Sequence, residues 1–266
     1  MKRGSNRRLH VAGGILAAIL TLSARSARPA RAIDFYEIQI YTTDTAPLHH
    51  LVLELHSNSV IAAYSDEAKA QLMPYQIHET VEATYGLTPH IEIGQYFCTA
   101  KLDNGNYEYA GSRTKVHFGI AATDDWPVRF GGNIELDYMR RAAEENPLSL
   151  ELRPIVETGF RKFTLVANFA FEKPFRGPGT HKGMTLAPSG EATYDLFRWL
   201  TPAVEYYGDL GASLTDLPSI RNQQHFIVPT LNFNFLPQLE LNAGAGFGLT
   251  RASNGTFLKA IVGWDF

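Results

Sequence analysis

The side chains with most chemical capacity in this 266-residue chain are ionisable groups spaced two apart: Glu54 with His56, Arg113 with Lys115 and His117, Glu135 with Asp137, and Glu151 with Arg153. Residues two apart on an extended strand project from the same face. Arg129, Glu205, Glu240 and Lys259 occupy the same kind of position in segments of their own. Acidic and basic groups gathered on one face suit two tasks. They can line a water-filled passage and select ions by charge, or they can pair and cross-link the wall that carries them, since buried charge must be paired or hydrated. The pattern alone leaves both open.

Covalent chemistry fits less well. His49, His50, His56, His78, His117, His181 and His225 offer bases, and Ser57 and Ser59 lie near His56. Neighbours on a strand face opposite sides, however, so His56 cannot reach Ser57 directly. No G-x-S-x-G nucleophile turn is present. His49-His50 and His181 sit in loop-like segments without an Asp or Cys cluster at ligand spacing, so neither a metal site nor a cofactor is expected. Cys98 is the sole cysteine and forms no intrachain disulfide. The expected protein is not an enzyme.

The elements that must position these groups are strands. Period-two alternation recurs in segments of about ten residues bounded by turn residues, the weak signature of a membrane barrel. The segments are 48–58, 75–86, 91–99, 107–120, 128–138, 148–158, 163–171, 186–197, 200–209, 224–235, 239–250 and 257–266. Residues 65–72 have the composition for a helical turn within a loop. In segment 163–171, Phe163, Leu165, Ala167, Phe169 and Phe171 share one face; in 239–250, Leu241, Ala243, Ala245 and Phe247 oppose Glu240 and Asn242. Short connections alternate with long ones, as at the periplasmic and extracellular ends of an outer-membrane barrel.

The expected fold is therefore all-β, a closed antiparallel transmembrane barrel of about twelve strands over residues 48–266. Residues 35–43 would make a thirteenth strand and break the even number that such barrels keep. Residues 33–47 are accordingly expected outside the wall, at the periplasmic rim or tucked into the lumen. The apolar faces would meet lipid. Glu54, Arg113, Lys115, Arg129, Glu135, Asp137, Glu151, Arg153, Glu205, Glu240 and Lys259 would line the lumen. Glu79 falls on the lipid side, either through a register shift near His78 or because that end rises above the hydrocarbon. Tyr138, Tyr194, Tyr206, Phe247 and Trp264 are candidates for interfacial girdles.

The two ends of the chain support an envelope destination. Residues 1–32 combine a basic start (Lys2, Arg3, Arg7, Arg8), a short apolar run and Ala30-Arg31-Ala32, the layout of a cleavable signal peptide. That segment holds seven of the 24 Lys and Arg residues and none of the 27 acidic ones. Its removal leaves a chain of roughly −10 charge, which disfavours a nucleic-acid partner. Trp264 and the terminal Phe266 resemble the closing strand of bacterial outer-membrane barrels, which implies an assembly signal read by the barrel-assembly machinery.

IQIYTTDTAPLHHLVLELHSN (38–58), HETVEATYGLTPHIEIGQYF (78–97), YEYAG (107–111), LELRPIVE (150–157) and IVGWDF (261–266) resemble bacterial outer-membrane β-barrels of the phenol-degradation meta-pathway transporter type, a poorly characterised family. The resemblance covers most of the chain after residue 32 and rests on strand and turn segments. It implies an outer-membrane barrel passing small solutes, aromatic or hydrophobic ones among them, with outer-membrane lipid as its surroundings. The competing readings are a lipid-modifying barrel enzyme and a closed structural or adhesive barrel whose function lies in its loops.

Overall fold

The computed structural model describes residues 33–72, 77–101, 105–120, 127–211 and 213–266. The proposed signal peptide, residues 1–32, lies outside them. Twelve strands occur among the described residues: β1 (Leu51–Ala63), β2 (Ile77–Thr88), β3 (Ile91–Lys101), β4 (Tyr107–Gly119), β5 (Val128–Met139) and β6 (Leu148–Phe160). The second half comprises β7 (Phe163–Arg176), β8 (Thr185–Tyr194), β9 (Leu200–Asp209), β10 (Gln224–Leu236), β11 (Leu239–Gly248) and β12 (Gly255–Asp265). Each strand pairs antiparallel with its successor, and β1 pairs with β12 to close the barrel. Closure removes the free edges that an open sheet would expose. Every strand meets the nine to eleven residues, roughly, that a tilted strand needs to cross a bilayer.

Period two puts the apolar set outside and the charged set inside. Leu258 and Val262 on β12 are 48% and 46% exposed, whereas Lys259 between them is 3% exposed. Leu51, Leu53 and Leu55 point outward from β1, and Glu54 and His56 inward. An outer surface this apolar around a charged interior inverts the order of a water-soluble sandwich and fits an acyl-chain surrounding. Aromatic side chains collect at both rims. Tyr107, Tyr109, Tyr138, Tyr206 and Phe247 lie towards the long-loop end, and Phe160, Phe163, Trp199, Phe235 and Trp264 towards the short-turn end.

The structure refines several expected boundaries. β1 begins at Leu51 and continues to Ala63, and β7 continues to Arg176, because ladder pairing with β12 and with β6 extends past the point where alternation fades. β8 runs Thr185–Tyr194, starting one residue before and ending three before the expected segment. Residues 65–72 contain α1 (Asp66–Leu72), whose first turn is capped by Ser65 Oγ accepting from Ala68 N at 3.0 Å. Glu79 faces outward near the long-loop end of β2, and the β1–β2 register is continuous there, Ser57 opposite Glu79 and Asn58 opposite His78. No bulge shifts the register at Glu79, which is the third residue of β2 from its long-loop end.

Residues 33–47 form no strand of the wall. This strap threads the interior lengthwise, and its apolar members nucleate three separate clusters. Ile33, Phe35 and Ile38 pack with Val60, Phe226 and Phe257; Tyr36 packs with Tyr96, Cys98 and Met139; Tyr41 packs with Ile155 and Val166. Near the short turns the strap backbone passes so close to Gly119 and Gly86 that a Cβ there would fall 2.3 Å from Thr43 O and 2.1 Å from Pro47 O. Any larger side chain at either position would displace the strap.

Candidate functional site

Side chains of the wall, rather than a β-ladder, hold the strap inside the lumen. The Asn168 carboxamide clamps one residue: Tyr41 N donates to Oδ1 at 2.9 Å, and Nδ2 donates to Tyr41 O at 2.8 Å. Glu157 Oε2 accepts from both the amide and the hydroxyl of Thr43 at 2.8 Å. Asn58 Nδ2 donates to Phe35 O at 2.9 Å, and Glu92 Oε2 accepts from Ala46 N at 2.5 Å. His117 contacts Asn133 on one side and Asp44 O on the other. These contacts run from the long-loop half at Asn58 to the short-turn half at Glu92.

The lumenal ions form a paired network. Arg113, on β4, reaches four carboxylates: Asp34 and Glu37 of the strap (Glu37 at 3.0 Å), Glu135 at 3.6 Å and Asp137 at 3.5 Å. Lys115 Nζ donates to Glu82 Oε1 at 2.8 Å, lies 3.6 Å from Glu92, and sits 4.4 Å from the Tyr41 ring centroid. Arg153 Nε pairs with Glu151 at 2.6 Å, and Lys259 Nζ lies 2.9 Å from both oxygens of Glu205. Arg129 occupies the short-turn mouth, half-exposed, and pairs with Glu157 and Asp44. The cationic lumen residues named from sequence are therefore fastened to carboxylates, and Arg113 and Arg129 also hold the strap.

Glu54 and Glu240 differ. Among the described residues neither forms an ion pair with a Lys or Arg. Both lie opposite Gly263, on either side of it, while Glu82 lies opposite Glu54 on β2. One rung of the barrel thus carries three inward carboxylates across β2, β1 and β11, with Gly263 of β12 between the last two. One ligand atom from each of Glu54, His56 and Glu82 fits within 4.8 Å of the others, and all three residues are buried. Spacing along the chain did not reveal this set, because Glu82 joins only through the β1–β2 register; Glu54 and His56, two apart on one strand, were the legible part.

A cavity of about 640 Å³ opens at the short-turn mouth beside this rung. Its walls include the inward-facing Val52, Asn232, Asn234, Glu240, Gly263 and Asp265, together with Leu239, Leu241 and Trp264 of the outer rim. Further in, Lys259, Thr230 and Val228 are buried, and Phe226, Phe257 and Phe35 pack together in the lumen towards the long-loop end. Beyond the mouth, strap and wall side chains pack against one another within the lumen.

At the other predicted positions, Trp264 and Phe266 are both exposed at the short-turn rim, and Phe266 N donates to Leu51 O at 3.0 Å, which ties the end of the chain to β1. The enzyme reading gains nothing from the geometry: His56 is fully buried in the lumen, while Ser57 lies on the other face of β1.

No protein-family model and no curated protein matches the chain. Solved structures do match in fold. A KdgM porin aligns with TM-score 0.55 and 7% identity over 81% of this chain and 99% of its own. The COG4313 outer membrane channel from Pseudomonas putida F1 aligns with TM-score 0.59 and 11% identity over 86% and 100%. The NanC porin aligns with TM-score 0.51 and 8% identity over 80% and 98%. The fold is that of porin-like bacterial outer-membrane barrels.

Proposed function

We propose that this chain is an outer-membrane channel for small solutes, with no covalent chemistry of its own, whose passage is stoppered by residues 33–47. The observation that carries the reading is the vestibule: a cavity of about 640 Å³ with Asn232, Asn234, Glu240 and Asp265 in its wall, at the mouth of a cylinder with an apolar exterior whose lumen holds a segment that no β-ladder secures. A rigid wall needs its ladder to stay closed, whereas the strap is held by discrete side-chain contacts and can leave while the barrel stands. Arg113, Lys115, Glu135, Asp137, Glu151, Arg153, Glu205 and Lys259 then hold the stoppered lumen together, and Arg129 and Glu240 meet solutes nearer the mouth, with Glu54 buried behind them.

The paired state of the lumenal cations favours neutral or hydrophobic solutes. One KdgM porin structure is a complex with disordered oligogalacturonate, but a polyanion would need a row of free basic groups. Here Arg113, Lys115, Arg153 and Lys259 all face carboxylates. Kinship with the phenol-degradation meta-pathway transporter type, suggested by the segments quoted above, agrees with small aromatic solutes. Outer-membrane lipid around the apolar belt, and assembly through Trp264 and Phe266, belong to the same proposal.

Planar-bilayer recordings test it. The intact protein should show little conductance, and Asn168→Ala combined with Glu157→Gln should raise the open probability at least tenfold. Silence in both proteins, once the variant is shown to fold by its heat-modifiable mobility, would overturn the channel reading in favour of a closed structural barrel.

A further inference from the structure

We propose that Glu54, His56 and Glu82 form a divalent-cation site of the zinc class at the inner end of the vestibule. The site does not depend on whether the barrel conducts. Geometry comes first: the three ligand atoms lie within 4.8 Å of one another on adjacent strands whose register is fixed by the β1–β2 ladder. One imidazole nitrogen with two carboxylates is a donor set that borderline divalent ions accept.

The second observation concerns unsatisfied polar atoms. The His56 side chain is completely buried; its Nε2 faces Glu82 Oε2 as an ion-pair partner at a long 3.3 Å, and among the described residues its Nδ1 has no hydrogen-bond partner. Buried polar groups are ordinarily paired, so a fully buried imidazole with one nitrogen unpaired and the other only loosely matched to a carboxylate points to a missing partner. The outer contacts are already in place. Glu82 Oε1 accepts from Lys115 at 2.8 Å and from Thr84 Oγ1 at 2.7 Å, which aims Oε2 at His56.

Charge balance points the same way. Glu82 and Glu92 share one ammonium, Lys115, while Glu54 has no Lys or Arg partner among the described residues and Glu240 adds a further carboxylate at the vestibule wall. Like charges directly opposite one another on neighbouring strands are destabilising, yet Glu54 faces Glu82. A bound divalent ion would neutralise the surplus. Gly263 supplies the approach: a Cβ there would lie 3.1 Å from Glu54 Cγ and 3.2 Å from Glu240 Cβ, so its absence keeps the gap between the two carboxylates open to the vestibule.

The test uses zinc and cobalt on the refolded full barrel in detergent. The background is a His49→Ala, His50→Ala variant, because those two exposed histidines would bind metal on the surface. One equivalent of Zn²⁺ by calorimetry, and cobalt ligand-field bands in the visible, are expected. Both should disappear in His56→Gln and in Glu54→Gln, and both should persist in Asn232→Ala at the vestibule wall. Heat-modifiable mobility shows which variants fold. Absence of a stoichiometric equivalent in the folded barrel, or cobalt bands unchanged in folded His56→Gln and Glu54→Gln, would overturn the site.

Discussion

The two ends of the lumen are built on opposite principles. Towards the long loops the strap fills the barrel with apolar mass, Ile33, Phe35 and Ile38 against Phe226, Val228 and Phe257. Towards the short turns it is gripped by hydrogen bonds and ion pairs from Asn168, Glu157 and Glu92, and beside it the vestibule stays open. The apolar end derives its stability from removal of surface from water, which is insensitive to direction. The polar end derives its grip from a few geometrically exacting contacts, each modest in net value. A stopper anchored firmly at one end and lightly at the other can release the mouth first.

That asymmetry can be broken most forcefully at the apolar end. Phe35→Ala removes a ring that packs edge-on against Phe257, 5.7 Å between centroids, and should cost about 4 kcal/mol in reversible denaturant unfolding. It should also raise conductance. The outer wall provides the contrast at the next position from Phe257: Leu258→Arg should destabilise the barrel by about 3 kcal/mol through its lipid face, with conductance unchanged. At the polar end, Glu157→Gln keeps the shape but weakens the charge-assisted contacts to Thr43 and Arg129, an expected loss of about 2 kcal/mol. Brief openings in bilayer recordings should accompany it. The smallest effect belongs to the rim, where His50 and Asp265 meet at 2.8 Å in solvent. His50→Ala should shift stability by ~0–1 kcal/mol.

The wall was largely legible in the sequence because a barrel imposes one binary rule on every strand, lipid on one side and lumen on the other. Leu258-Lys259 and Leu53-Glu54 state that rule in adjacent letters, and parity excluded residues 35–43 from the sheet. The course of the strap was not legible. Its defining contacts join residues far apart in the chain, Tyr41 to Asn168 and Thr43 to Glu157, and no local pattern encodes such a pairing. Arg113 illustrates the difference. Its inward direction followed from alternation, but its engagement with Asp34 and Glu37 depends on where the strap lies. The same holds for the Glu54–His56–Glu82 set, in which inter-strand register supplies the third member.

Occupation of the lumen by residues 33–47 is the claim on which the rest depends, and the protein carries its own reporter. Cys98 is the sole cysteine; it points inward from β3 and is covered by Tyr36 of the strap within one buried cluster. A small water-soluble thiol reagent applied to the folded barrel should leave Cys98 unmodified while the heat-unfolded chain reacts readily. Modification of the folded protein at the unfolded rate would mean that water fills the lumen where the strap is placed, and would contradict the account.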